Sequence, residues 1–147
     1  MITQHLKLFE FLNRQNVEYL LIGGALAIAY GVPRVTKDID IFLNPTLSNA
    51  EKCLKALQEL GMGTTNLTNA EDICAHEITI FKDFIRLDVL TQVKGLSFEE
   101  AWKEKVFLSL YQITIPALNL NNLIKSKIAA GRKSDLEDIK ILEMAKK

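Results

Sequence analysis

Asp38 and Asp40 alternate with Ile39 and Ile41 in the stretch Thr36–Leu43, a spacing that puts both carboxylates on one face of a strand. Their Cα atoms would lie roughly 6–7 Å apart, and the side chains can converge to about 4–5 Å. At an effective dielectric near 20, two anions at that range repel by about 3 kcal/mol. For an isolated D-x-D, a solvated strand edge is the default reading. Here the strand continues apolar through Phe42 and Leu43 and has no solvent face to spare, which favours a cation between the acids. A third acid, Asp88 in FIRLDVL, shares a strand face with Arg86 and Leu90 and needs a partner of its own. Arg86 or another base would serve. If the Asp88 strand lies beside the first, three carboxylates cluster, and hard oxygen ligands of that kind suit Mg²⁺ or Mn²⁺. Upstream, Gly23-Gly24 ends an apolar run and precedes the helix-like segment Ala25–Tyr30. Glycines let a backbone approach a ligand closely, and free N–H groups at a helix start attract phosphate oxygens. Together these pieces describe a metal-bound phosphate site.

The elements that must hold them follow from periodicity and punctuation. Leu6, Phe9 and Leu12 predict an amphipathic helix from Thr3 to Asn13. The apolar run Val17–Ile22 predicts a central strand. A short helix after Gly24 should stop at Gly31, ahead of Pro33, and Thr36–Leu43 is the second strand. Ser48–Glu51 has the form of a capping box opening a helix with Leu54, Leu57 and Leu60, closed by Gly61. The polar stretch Met62–Asp72 reads as a surface loop. Glu77–Phe81 and Phe84–Leu90 read as a hairpin about Lys82-Asp83. A second capping box, Ser97–Glu100, starts a short helix through Trp102, and Gln112–Ile115 is a strand ahead of Pro116. Leu120–Ala130 reads as a helix ended by Gly131. A third capping box, Ser134–Glu137, opens a last helix with Leu136, Ile139 and Leu142 on its buried side. No repeat or linker divides the chain, so one domain is expected over residues 1–147.

Composition narrows the classes of function. The chain has 147 residues, 48% of them hydrophobic and 24% charged, which is ordinary for a globular domain with a genuine core. Lys+Arg and Asp+Glu both number 18, so the whole chain gives no electrostatic case for nucleic acid. A local basic patch is formed by Lys125, Lys127, Arg132 and Lys133; for each, a solvated helix face or a salt bridge is the competing reading. Cys53, Cys74, His5 and His76 show no zinc-site spacing, and reduced cysteines fit a cytoplasmic protein. The uncharged run Tyr19–Val32 is too short to span a bilayer, and the N-terminus lacks a signal-peptide core.

In order and spacing, Gly23-Gly24, Asp38-Ile39-Asp40 and the later Asp88 resemble the pattern of the nucleotidyltransferase superfamily typified by DNA polymerase β. The resemblance covers most of the chain and is closest to small bacterial stand-alone members, including those related to AbiE-type toxins. Their R-x-T-x-D-h-D is matched by Arg34, Thr36, Asp38 and Asp40. Their late K-x-x-x-G-R-x-x-D-x-x-D is matched by Lys127, Gly131, Arg132, Asp135 and Asp138. Gly24 departs from the Ser that many members carry, removing a hydroxyl that could touch a triphosphate.

The resemblance implies an α+β (mixed α/β) nucleotidyltransferase fold, with a mixed β-sheet flanked by helices and helices at the C-terminus. It implies that Asp38, Asp40 and Asp88 hold Mg²⁺ or Mn²⁺ and carry catalysis, with an NTP as substrate. Gly23 and Gly24 would cradle the β,γ-phosphates, with Arg34, Thr36, Lys127 and Arg132 as further nucleotide-binding positions and Asp135 orienting Arg132. An NMP group would move to a hydroxyl on RNA, protein or a small molecule, releasing pyrophosphate, in a setting such as toxin–antitoxin or defence. A partner protein or a homodimer would complete the acceptor surface. The alternative is a non-catalytic nucleotide- or partner-binding module on the same fold, and a plain structural domain comes last.

Overall fold

The computed structural model describes residues 2–146. Helix α1 (Ile2–Arg14) buries Leu8, Phe9 and Leu12, a stripe turned slightly from the Leu6-Phe9-Leu12 line that its periodicity predicts. Strand β1 (Tyr19–Ile22) is buried along its whole length and lies near the middle of the sheet, as its apolar run requires. Helix α2 (Gly23–Ala29) starts at Gly23 itself and leads to β2 (Asp38–Leu43). After α3 (Leu47–Glu59) comes the stretch expected as a loop. It holds a 3₁₀ turn (Gly63–Leu67) and helix α4 (Ala70–Ala75). Its polarity conceals Met62, Thr65 and Ala70, all buried, and Asn69 caps α4 by accepting from the Asp72 N–H.

The hairpin of β3 (Ile78–Lys82) and β4 (Arg86–Leu90) follows, joined by residues 83–85. Then come α5 (Phe98–Lys103), β5 (Val106–Leu110), β6 (Ile113–Ala117), α6 (Leu120–Ala130) and α7 (Lys133–Ala145). The sheet is mixed, in the order β3-β4-β2-β1-β6-β5. β2 runs antiparallel to β1 and parallel to β4, and β1 runs parallel to β6. Helix α1 packs on α3, α3 on α4, and α6 on α7. Ile39, Ile41, Leu87 and Val89 turn into the core, so Asp38, Asp40, Arg86, Asp88 and Leu90 face the other way, half-buried, with Phe42 of that face fully buried. Cys53 is buried and Cys74 half-buried, both free thiols. Among the described residues, no helix is long and apolar enough to cross a membrane.

Two of the terminal signals land elsewhere than expected. Thr46, not Ser48, caps α3, accepting from the Asn49 N–H. Ser97 caps α5 as expected, accepting from the Glu100 N–H. Gly131 ends α6 in the left-handed conformation, as its position predicts. Helix α7 does not open at a Ser134 box. Asp135 reaches back to accept from the Arg132 N–H, 3.3 Å away. Leu136 is 56% exposed, while Asp135, Asp138 and Leu142 are buried. Helix α7 is thus turned relative to its apolar pattern, presenting carboxylates inward.

Strand β5 escapes sequence reading because Tyr111-Gln112, which joins it to β6, does not look like a turn. Both residues nonetheless have positive φ, 48° and 69°, the two-residue hairpin geometry usually filled by Asn-Gly. Non-glycine residues in that region cost roughly 1–2 kcal/mol each. Gln112→Gly is therefore expected to raise unfolding free energy by about 1 kcal/mol, read from denaturant midpoints. An unchanged or lower midpoint would contradict the strained hairpin.

Candidate active site

The parallel pairing of β2 with β4 sets Asp40 directly opposite Asp88 and Asp38 opposite Arg86. The antiparallel pairing of β1 with β2 sets Ile22 opposite Asp40, which delivers Gly23 beside the same carboxylate. Strand alternation then does the rest: Asp38, Asp40 and Asp88 share one sheet face, opposite the core isoleucines. The three acids named by spacing alone are brought together.

Gly23 has a function in this contact. Its φ is +71°, and a Cβ there would fall 2.9 Å from Asp40 Cγ and 3.0 Å from Asp40 Cβ. The Gly24 N–H, expected to face phosphate, lies where it favours the ionised Asp40 carboxylate. The strand-to-helix turn therefore positions an acid as well as any ligand. Gly23→Ala is expected to push the Asp40 side chain out of place and to strain the turn, lowering stability by about 2 kcal/mol. A thermal melt equal to that of the unsubstituted protein would contradict the close approach.

Burial pushes Asp40 up to about 6, with the charge and hydrogen bond of Asp88 adding to it and Asp38 contributing further. The Gly24 N–H opposes this rise without cancelling it. Asp40 is thus the carboxyl of this cluster that holds its proton above the usual carboxylate range. The third acid is answered differently. Arg86 Nε lies 3.3 Å from Asp88 Oδ1 and 3.7 Å from Asp38 Oδ2, bridging the two strands.

Across from the carboxylates stand α6 and the start of α7. The cleft between them has a volume of about 660 Å³, with Gly23, Thr36 and the three acids on the sheet side, and Ser126, Lys127 and Arg132 on the helix side. Lys127 is buried, its Nζ 3.0 Å from Asp138 Oδ2 and 3.3 Å from Asp135 Oδ1. Arg132 grips Asp135 with two contacts, Nε–Oδ2 at 2.8 Å and Nη2–Oδ1 at 3.3 Å. Burial alone would raise Asp135; the bonds and charges of Arg132 and Lys127 outweigh it and hold the carboxyl below its usual value. Arg34 Nη2 comes within 2.8 Å of Asp138 Oδ1, a charge contact not aligned as a hydrogen bond, so that buried oxygen has no hydrogen-bond partner. Three cations against two anions leave this network with a net positive charge, and Lys127 and Arg132 are its members on the cleft wall.

The motif residues therefore separate into groups. Asp38, Asp40, Asp88, Gly23, Thr36, Lys127 and Arg132 all line one cleft. Arg34 and Gly24 are not among the lining residues: Arg34 is engaged by Asp138, and Gly24 packs against Thr36 and serves Asp40. Thr36 fixes the strand entrance, its Oγ1 lying 3.3 Å from the Asp38 N–H that donates to it. Sequence reasoning missed Gln92 and Lys94, which also line the cleft. They lie in an irregular segment that carries no periodic signal.

Three carboxylates on neighbouring strands are the donor set that hard divalent cations take. Among the described residues no three such side chains close on a single point, and Arg86 lies between Asp38 and Asp88. The Arg86 guanidinium thus answers part of the charge that a divalent ion would answer. The donor chemistry fits such an ion once Arg86 turns aside.

The mixed six-stranded sheet flanked by helices is a fold shared with solved nucleotidyltransferase-like structures. The chain belongs to the family described as "nucleotidyltransferase of unknown function (DUF6036)", whose profile matches residues 1–147. Among solved structures, it is similar to a candidate nucleotidyltransferase of Thermotoga maritima, at 19% identity and a TM-score of 0.59, over 91% of this chain and 86% of that one. It is also similar to an antigenic nucleotidyltransferase-like protein of Paracoccidioides brasiliensis, at 15% identity and a TM-score of 0.59, over 93% and 74% of the two chains. No curated protein matches the sequence.

Proposed function

We propose that the protein is a metal-dependent nucleotidyltransferase that moves an NMP group from an NTP to a hydroxyl acceptor and releases pyrophosphate. The observation that carries this reading is the register of β2 against β4, which sets Asp40 opposite Asp88 with Asp38 on the same face. Asp38, Asp40 and Asp88 would hold Mg²⁺ or Mn²⁺, which when bound supplies charge neutralisation at the transferred phosphoryl group and its leaving oxygen. Lys127 and Arg132, on the opposite wall, are placed to take phosphate oxygens, and Asp135 and Asp138 hold them in position. Gly23 lines the cleft where a triphosphate can approach the backbone. Asp88, set opposite Asp40 on the neighbouring strand and lining the same cleft, would accept the hydroxyl proton of the acceptor. Positioning and electrostatics would supply most of the rate, as in phosphoryl chemistry generally.

The resemblance to AbiE-type proteins supports a toxin–antitoxin or defence setting, and the acceptor classes are RNA, protein and small molecules. The test incubates the protein with each α-labelled NTP, Mg²⁺, and separate pools of the three acceptor classes. Transfer of label to one pool, lost in Asp38→Ala and Asp40→Ala, is the expected result. NTP binding without transfer to any pool would favour the non-catalytic binding module.

A further inference from the structure

The sheet face that carries the acids does not end with them. On β2 the next residue of that face after Asp40 is Phe42, and on β4 Asp88 is followed by Leu90 and then, beyond the strand, Gln92. Two residues along a strand advance about 7 Å, so a small unit bound beyond the acids stays within reach of them. There a second groove of about 380 Å³ opens, and it shares Glu77, Gln92, Val93 and Lys94 with the acidic cleft. Its volume falls in the roughly 300–1,000 Å³ range of small-ligand pockets.

The walls of the groove are aromatic and aliphatic with a few polar groups. Phe98, half-buried, covers the fully buried Phe42 edge to face at 5.2 Å, and Phe98, Pro45 and Leu96 present the apolar surface. Thr91 is pinned from both of its polar groups: its N–H donates to Glu77 O at 2.9 Å and its Oγ1 to His76 O at 2.6 Å. The boundary with the acidic cleft is made by a tight turn, Val93–Leu96, closed by the Leu96 N–H donating to Val93 O at 3.1 Å. Gly95 takes φ +84° there, as the third position of a type II turn demands. A Cβ on Gly95 would lie 3.0 Å from Ala129 Cβ, so the turn is packed against α6. Lys94 is thereby held at the tip, between the two spaces, and it makes no ion pair among the described residues.

We propose that this groove binds a nucleoside 5′-phosphate unit, with the base between the apolar walls, the phosphate on Lys94, and the ribose toward Asp88. A flat heteroaromatic ring suits aromatic and aliphatic walls with Gln92 and Glu77 at its polar edge, and one unpaired cation suits one phosphate. The role of this unit as the acceptor rests on the transferase reading. In that reaction a ribose hydroxyl oxygen forms a bond to the α-phosphorus of the NTP. The bond from that phosphorus to the α,β-bridging oxygen breaks, pyrophosphate leaves, and the hydroxyl proton passes to Asp88.

Trp102, the single tryptophan, stacks on Phe98 at 5.5 Å and reports on the groove by its fluorescence. The test titrates the protein with AMP, CMP, GMP and UMP, the matching unphosphorylated nucleosides, and an RNA trinucleotide with a free 3′-hydroxyl. Saturable change with the monophosphates is expected, weaker with nucleosides. Lys94→Ala should weaken the monophosphates by about tenfold and leave nucleosides unchanged, and Lys94→Arg should restore them. Tighter binding of the trinucleotide would assign the site to an RNA end, and equal binding to a free nucleotide. A flat titration, displacement of AMP by Mg²⁺–NTP, or indifference to Lys94→Ala would each overturn the proposal. The transfer assay keeps the two readings apart. Label moving only to protein or sugar acceptors would overturn the groove as acceptor site and leave the transferase standing. Groove binding without transfer of label to any pool would leave the nucleotide site standing and overturn the transferase, and with it the acceptor role.

Discussion

Asp40→Asn is expected to yield a protein that is more stable than the parent near neutral pH and that transfers no nucleotide. Asp40 is raised to about 6 by burial and by Asp88, from an ordinary value of 3.8. A carboxyl raised on folding is favoured in its protonated form by the folded state. Its stabilising influence is therefore complete below about 3.8 and is lost as pH climbs through about 6. Two pH units correspond to about 3 kcal/mol between the ends of that window. The parent protein without divalent metal should thus lose stability between pH 4 and 7 by roughly that amount, and Asp40→Asn should flatten the profile. Urea midpoints across this range provide the measurement. A profile for Asp40→Asn parallel to that of the parent would contradict the strained carboxylate pair. The cost in activity should be far larger, about a thousandfold or more, because the amide cannot hold a divalent cation as the carboxylate does. Stability spent on a repulsive pair is the mark of a site kept for chemistry.

Asp138→Ala is expected to have the largest effect on stability. Asp138 is almost wholly buried, ion-paired to Lys127 at 3.0 Å and to Arg34 at 2.8 Å. Removing it leaves Lys127 buried with half of its compensation and frees Arg34, so α6, α7 and the segment before β2 lose their common anchor. Breaking a buried pair from one side typically costs about 3–5 kcal/mol. Asp138→Asn should cost less, since it keeps a hydrogen-bond acceptor for Lys127. A loss under about 1 kcal/mol for Asp138→Ala, from denaturant melts, would show that the network is a solvated surface pairing instead.

The acids were legible in sequence because a period of two is enough to place Asp38 with Asp40, and Asp88 opposite Leu87 and Val89. Which strand lies beside which is a matter of long-range pairing, and nothing local in FIRLDVL announces that Asp88 will face Asp40. The glycine pair signalled a close approach, but only the register of Ile22 with Asp40 reveals that the near neighbour is a carboxylate. Helix α7 misled in the opposite sense. Hydrophobic periodicity assumes that the buried face is the apolar one, and here ionic compensation buries Asp135 and Asp138 while leaving Leu136 exposed. The late motif carried the truth that the period concealed. Strand β5 was silent for a third reason: it is a partly exposed edge strand, closed by Tyr-Gln where a turn would ordinarily show Asn or Gly.

The most direct measurement is pyrophosphate release by the protein supplied with Mg²⁺, NTP and the acceptor pools, compared with Asp88→Asn. Asp88 is the decisive position, since it joins the D-x-D only through the β2–β4 register. Release by the parent that matches label transfer, and loss of both in a folded Asp88→Asn, is the expected result. Equal release by parent and Asp88→Asn, or none by either with NTP bound, would contradict a three-carboxylate transferase.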